Sequence, residues 1–209
     1  MIEYEFLKSN PDGWINALED ARATVNKEST GKEPSKKFKL SMVLAEHSVI
    51  RDIIVRWKWL KIPSFIATHF SRHKFEKYIM TQRNDRQNKY DRKKAPQDAP
   101  VNFTGVANGQ NLIDAWRKRL CFQADPDTRK YAENFKVKLK DIEPELAWAL
   151  CPNCIYRSGC CEPRENNNCH FYEKFLERHQ EITAQTTITE RYDIYNKEFY
   201  KNHSILEEK

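Results

Sequence analysis

Apolar residues recur at helical spacing between Asp12 and Val25, where Trp14, Leu18, Ala21 and Val25 fall on one side and Pro11 stands ahead as a first-turn residue. The pattern then breaks over residues 26–37, which are polar and charged and predict a surface loop. Leu40 to Ala45 predicts a short helix ending near His47. Residues 50–60 are rich in β-branched and aromatic side chains and alternate from Val55 to Trp59, the pattern of a strand. Pro63 interrupts, and a short apolar segment from Ser64 to Phe70 leads into Arg72-His73-Lys74. Residues 82–99 offer little to bury and carry a run of Arg and Lys from Arg83 to Lys94, which predicts a long exposed loop with a functional or interface role.

The second half reads as helices. Leu112, Ile113, Trp116 and Leu120 share one side of an amphipathic stretch from Gln110 to Phe122. Asp125-Pro126-Asp127-Thr128 is a helix start, and Phe135, Leu139 and Ile142 carry that helix toward Pro144. Glu145 to Leu150 forms a short helical turn running into a group of cysteines. Beyond it, Phe171, Phe175, Tyr192, Tyr195, Phe199 and Tyr200 predict one or two helices packed outside the main core. No internal repeat is visible.

Composition narrows the class. The 209 residues are 39% apolar and 32% charged with few Gly, which excludes collagen-like, mucin-like and wholly disordered chains. A chain of this length buries about 70% of its unfolded surface and needs no disulfides to fold. There is no run near the ~20 apolar residues of a membrane span, and residues 1–6 have neither the basic region nor the apolar core of a secretory signal. The expected location is therefore cytoplasmic, with no membrane partner. A formal charge of +6 points to partners carrying phosphate, whether nucleotides, cofactors or polymers.

Two kinds of side chain carry candidate chemistry. Arg72, His73 and Lys74, followed by Gln82, Arg83 and Arg86, place cations on a segment leaving an apolar element; Arg117, Arg119 and Arg129 flank a helix end and the next helix start. Guanidinium forks and free helix N–H groups both suit phosphate. His47, His69 and His73 match no metalloprotease spacing and read as packing or cofactor-contact residues. Cys151-Pro-Asn-Cys154 has the spacing of two thiolates sharing a metal, and Cys160 or Cys161, Cys169 and His170 are the candidates to complete four ligands for zinc or an iron-sulfur cluster. Buried thiols and redox pairing are the other readings of that cluster.

The run from Lys39 to Arg51, then His69-Phe-Ser-Arg-His-Lys74, Thr81-Gln-Arg83, Asn111-Leu-Ile, Arg117 to Leu120 and Ala124 to Arg129 resembles, in this order, the flavin-dependent thymidylate synthases. It is most similar to the divergent branch carried by some bacteriophages, over about residues 14–160, including Cys151-Pro-Asn-Cys154 with Tyr156-Arg157. The resemblance implies an α+β fold with an antiparallel-containing sheet flanked by helices. It implies a synthase-like domain over residues 1–170, a helical extension over 171–209, and a homotetramer whose sites draw on several subunits.

It also implies an activity: transfer of a one-carbon unit from methylenetetrahydrofolate to C5 of dUMP with FAD as cofactor and NADPH as reductant, giving dTMP in the cytoplasm, that of the host if the chain is phage-encoded. His47, Ser48, His69, Arg72, His73 and Lys74 would then contact FAD. Thr81, Gln82, Arg83 and Arg119 would hold the nucleotide, and Arg129 would orient and polarise the pyrimidine as the catalytic residue. His69 stands where the family has Gln, Ile79 where it has an acid, and no Gln follows Ala124. Those departures raise the alternative of methylation or hydroxymethylation of dUMP or dCMP for modified DNA. A nucleic-acid-binding module with a cysteine-bound metal, resting on net charge and the basic loop, is the further alternative.

Overall fold

The computed structural model describes residues 2–83, 86, 91–160, 162 and 168–203. The chain divides into two compact units: Met1–Ser35 with Ser48–Ala115, and Lys36–His47 with Trp116–Lys209. The division expected from sequence falls elsewhere, since residues 171–203 group with 116–170. The architecture is α+β. No helix among the described residues is long and apolar enough to cross a membrane.

The first unit is built on a four-stranded antiparallel sheet of β1 (Glu3–Ser9), β2 (Ile54–Pro63), β3 (Glu76–Ile79) and β4 (Pro100–Asn108), in the order β1-β2-β4-β3. Helix α1 (Gly13–Ala23) packs on a 3₁₀ turn over Ser48–Asp52, where the sequence suggested the strand had already begun. The Asn10 side chain fixes the entry to β2: its Nδ2 donates to the Asp52 carbonyl at 2.9 Å and its Oδ1 accepts from the Ile54 N–H at 2.7 Å.

Strand β2 buries Val55, Trp57 and Trp59 at alternate positions, as its sequence pattern predicts. Strict alternation would next bury Lys61. A bulge between Trp59 and Ile62 prevents this: Lys61 takes a left-handed φ of 52° and stays exposed, while Ile62 turns inward. The buried rings form one cluster with those of β4 and of helix α3 (Ser64–Ser71), with Trp57 and Trp59 centroids 5.7 Å apart, Trp59 and Phe70 4.9 Å apart, and Trp59 and Phe103 5.5 Å apart. Opposite Trp57 lies Gly105, and a Cβ there would sit 2.2 Å from the indole ring. Strand β4 therefore carries glycine because a tryptophan occupies the space above it.

The second unit is helical: α2 (Lys36–Leu44), the end of α4 (Gly109–Arg119), α5 (Pro126–Leu139), α6 (Pro144–Ala149), α7 (Asn153–Arg157), α8 (Phe171–Arg178) and α9 (Ile188–His203). Asp125 caps α5 as the sequence suggests, accepting from the Thr128 N–H at 2.9 Å, with Pro126 in the first turn. Three expectations are corrected. Helix α2 starts at Lys36, so its first turn uses residues that read as loop. Helix α5 stops at Leu139, and Ile142 beyond it is exposed. Phe175, Tyr192, Tyr195 and Phe199 are buried and belong to this unit's core, not to an outer layer.

The reason is Lys136. It lies on the inward face of α5, fully buried, and its ammonium donates to the carbonyls of Ala147 at 2.7 Å and Leu150 at 2.6 Å and to Asn196 Oδ1 at 2.7 Å. The rings of Tyr195 and Phe199 surround it at 5.4 and 5.1 Å. Burial pulls its pKa down to about 7, against the smaller opposing effect of Cys151.

Two outcomes follow. Gly105→Ala drives a methyl into Trp57 and lowers stability by about 2–3 kcal/mol, measured by urea unfolding. Lys136→Met leaves three acceptors without their donor and lowers stability by about 2–4 kcal/mol at pH 7. Because the folded pKa of Lys136 lies below that of the unfolded chain, the unfolded state binds the extra proton above pH ~7, and this lysine's contribution rises with pH. The gap between wild type and Lys136→Met therefore widens from pH ~7 to ~9, by at most about 1.4 kcal/mol per unit; a gap independent of pH rules out the depressed pKa.

Candidate functional site

The densest set of predicted site residues follows α3 in the first unit. The helix stops at Ser71, and Arg72, His73 and Lys74 form the turn that leads to β3. Phe75 anchors this turn: it is buried 5.3 Å from Trp57, and the His73 ring lies parallel to it at 6.3 Å. Lys77 ties the turn from below, donating to the His73 carbonyl at 2.7 Å. Arg72 and Lys74 are exposed and make no ion pair or hydrogen bond through their side chains among the described residues. Local chemistry thus presents cations from a rigid aromatic base.

Lys74 lines a cleft of about 530 Å³ together with Phe75, Lys77, Asn108 and Asn111. Asn108 caps the start of α4, its Oδ1 accepting from the Asn111 N–H at 2.9 Å. The cleft therefore combines two lysines, two side-chain amides and a helix N-terminus with the carboxylate of Glu76, and Lys74 is the lysine of this set that makes no ion pair or hydrogen bond among the described residues. Sequence reading placed Lys74 and Asn111 in separate motif runs, and the fold brings them to one cleft. Asn108 and Lys77 were missed, since a strand-end asparagine and an edge-strand lysine carry no local signal.

Thr81 and Gln82 lie in a second cleft of about 290 Å³, bounded by Ser64, Ala67 and Thr68 of α3 and by Ile79. The Gln82 Nε2 is buried there with no hydrogen-bond acceptor among the described residues. Arg83 is exposed beyond it, its backbone N–H donating to Thr81 Oγ1 at 3.3 Å. His69 sits half-buried in the last turn of α3, edge-on to Phe65 at 6.0 Å. Ser48 opens the 3₁₀ turn of the same unit and is exposed.

The remaining predicted residues belong to the helical unit. His47 is half-buried just past α2, its backbone N–H donating to the Met42 carbonyl at 3.0 Å. Arg119 is in the last turn of α4. Arg129 faces Glu133 at 3.3 Å, and its guanidinium lies 4.3 Å over the Phe122 ring, which in turn stacks on Phe171 at 4.3 Å. Arg117, grouped with these cations on sequence, is buried and is not available to a phosphate. It pairs with Glu46, lies 3.6 Å over Tyr156 and donates to the Tyr192 hydroxyl at 3.4 Å. Burial acts to lower its pKa, but the hydrogen bonds and charges of Glu46 and Tyr192 together outweigh that and raise it.

The cysteines are thiols. Among the described residues Cys121, Cys151, Cys154, Cys160 and Cys169 are unbridged, and Cys161 lies outside the described residues. Burial pushes the Cys151 thiol up to about 11, and burial followed by its neighbours Cys121 and Cys169 raises that of Cys154. No group of three or more His, Cys, Asp or Glu side chains among the described residues is disposed to hold a metal ion. Cys121, distant in sequence, is the thiol that sequence reading left out of this neighbourhood.

Compared with known protein families and with curated proteins, the chain matches none of them. The ion pair of Arg117 offers a direct check on which cations are structural. Glu46→Ala strands a buried guanidinium and lowers stability by about 2–3 kcal/mol in urea unfolding, whereas Lys74→Ala, at an exposed and unpaired position, changes it by less than ~0.5 kcal/mol.

Proposed function

We propose that the chain is a flavin- and folate-dependent enzyme similar to the flavin-dependent thymidylate synthases, transferring a one-carbon unit from methylenetetrahydrofolate to C5 of dUMP with NADPH as reductant. One observation carries this reading: Lys74 and Asn111, which stand in separate runs of the resemblance, line a single cleft of about 530 Å³. The donors around it suit the anionic part of FAD, since Lys74 supplies charge and Asn108 and Asn111 supply amides, against the opposing charge of Glu76. Arg72 adds an exposed guanidinium from the same turn.

When bound, FAD supplies the electron transfer from NADPH and mediates the passage of the one-carbon unit. The chain's own residues bind and orient. In this reading Arg72, His73 and Lys74 hold the cofactor, and Thr81 and Gln82 offer donors to the nucleotide. Arg129 stabilises charge on the pyrimidine, which is positioning and electrostatics and asks for no nucleophilic cysteine. The thiols of Cys151 and Cys154, held protonated by burial, are consistent with that division of labour. The enzyme acts as a homotetramer.

Ile79 favours a second reading of the product. It lines the cleft with Thr81 and Gln82 at the position where the family has an acid, so a base held there would meet an apolar side chain. A different pyrimidine, dCMP, or a hydroxymethyl product follows naturally from that change.

The test is the visible spectrum of the purified full-length protein and its titration with FAD. Saturable flavin uptake is expected, at least tenfold weaker in Lys74→Glu with unchanged circular dichroism. Arg129→Ala is expected to keep flavin binding and lose turnover of dUMP or dCMP. A wild-type protein that takes up no FAD overturns the proposal.

A further inference from the structure

The sheet of the first unit has two unlike faces. One carries Val55, Trp57, Trp59 and Phe103 and packs against α3. Across the other, the register sets Phe6, Lys58, Thr104 and Tyr78 in one row, one residue from each strand. Phe6 reaches that row only through a bulge. Tyr4 lies edge-on to Trp59 on the inner face, and strict alternation would send Phe6 the same way; the register shift between them turns its ring outward. Bulges near sheet edges serve to re-aim a side chain in this manner.

Beside this row Lys8 stands directly opposite Arg56. Like charges in that position repel. Both side chains are exposed, and both lean on the Phe6 ring, at 5.5 and 5.9 Å from its centre. Neither forms an ion pair or hydrogen bond among the described residues. The acids of this face do not answer them: Glu5 pairs with Lys58 at 2.5 Å, Glu3 faces Lys61 at 3.6 Å, and Glu76 is two strands from Arg56, beyond Val106. One ring thus gathers two cations, and an anion bridging them would remove their repulsion.

At the far end of the row, on the edge strand β3, Tyr78 is 61% exposed. Three strand spacings, about 14 Å, separate it from Phe6. A ligand that joins the cation pair to this ring is extended, carries anionic groups and offers a flat ring face. A double helix hides its ring faces in the stack; a single strand presents them. We propose that the outer face of the sheet binds single-stranded nucleic acid, with phosphate on Lys8 and Arg56 and a base stacked on Tyr78. This goes beyond the flavin reading, since Phe6, Lys8, Arg56 and Tyr78 line neither of the clefts used there.

Fluorescence anisotropy of the full-length protein with labelled oligo(dT) and oligo(U) of about 15 nucleotides tests it, against a duplex of the same length. Saturable binding of a single strand is expected, roughly tenfold or more tighter than the duplex, with the tighter of the two strands naming DNA or RNA as the partner. Replacing both Lys8 and Arg56 with Gln, at exposed positions that leave circular dichroism unchanged, should weaken binding and lower the slope of log K against log salt by about 1.4. Tyr78→Ala should cost about fivefold or more, while Tyr78→Phe, which keeps the stacking face, should bind as wild type. Absence of saturable binding by the folded protein, equal affinity for the duplex, or indifference to these variants overturns the proposal. A change of oligomeric mass in the variants, which would make the face a contact between copies of the chain, overturns it as well.

Discussion

The helical unit depends on a single buried ammonium. Helix α6 has six residues, far too few to persist alone, and at its end the Leu150 N–H turns back to the Ala147 carbonyl at 3.2 Å. Lys136, reaching in from α5, donates to two of the carbonyls at that end, those of Ala147 and Leu150. Its third N–H goes to Asn196 of α9, whose own amide donates to the carbonyls of Trp148 at 2.9 Å and Tyr192 at 2.7 Å. Three helices are thereby held by one set of bonds in which every donor of the ammonium is used. Those bonds, the helix-end dipole and the surrounding ring faces offset desolvation only in part, which is why burial still pulls the lysine's pKa down. The chain emerging from this knot places Cys151 beside it, where burial raises the pKa of its thiol.

What could be read from the sequence follows from which signals are local. The alternation of Val55, Trp57 and Trp59 is a local signal and gives a strand; Asp125 with Pro126 is another and gives a helix start. Strand β4 has no reading from sequence, and its Gly105 is set by the ring of Trp57 on the neighbouring strand, a contact far along the chain. Strand β1 was missed because Glu3 to Ser9 mixes charge into a half-exposed pattern. The aromatic residues of α9 were placed outside the core because Lys136 looks like any other lysine in a charged helix. Nothing in its neighbours on the chain says that it points inward. The candidate site divides in the same way: the basic turn at Arg72 to Lys74 is contiguous and legible, whereas Asn108 and Lys77 reach its cleft only through strand pairing.

The cations of this chain sort by what already neutralises them, and that sorting decides where an anionic ligand can go. Arg117 is buried against Glu46 and an aromatic ring, and Lys136 is surrounded by carbonyl oxygens, so both are spent on the fold. Arg129 is shared between Glu133 and the face of Phe122, and engaging a pyrimidine would require it to exchange one of those contacts. Arg72 and Lys74 have no such commitments and sit on a turn that Phe75 pins to the aromatic core. A net charge of +6 spread over a surface would say little about function. Lys74, uncommitted among the described residues, lies beside a helix N-terminus and two amides, where an anion gains from rigid donors.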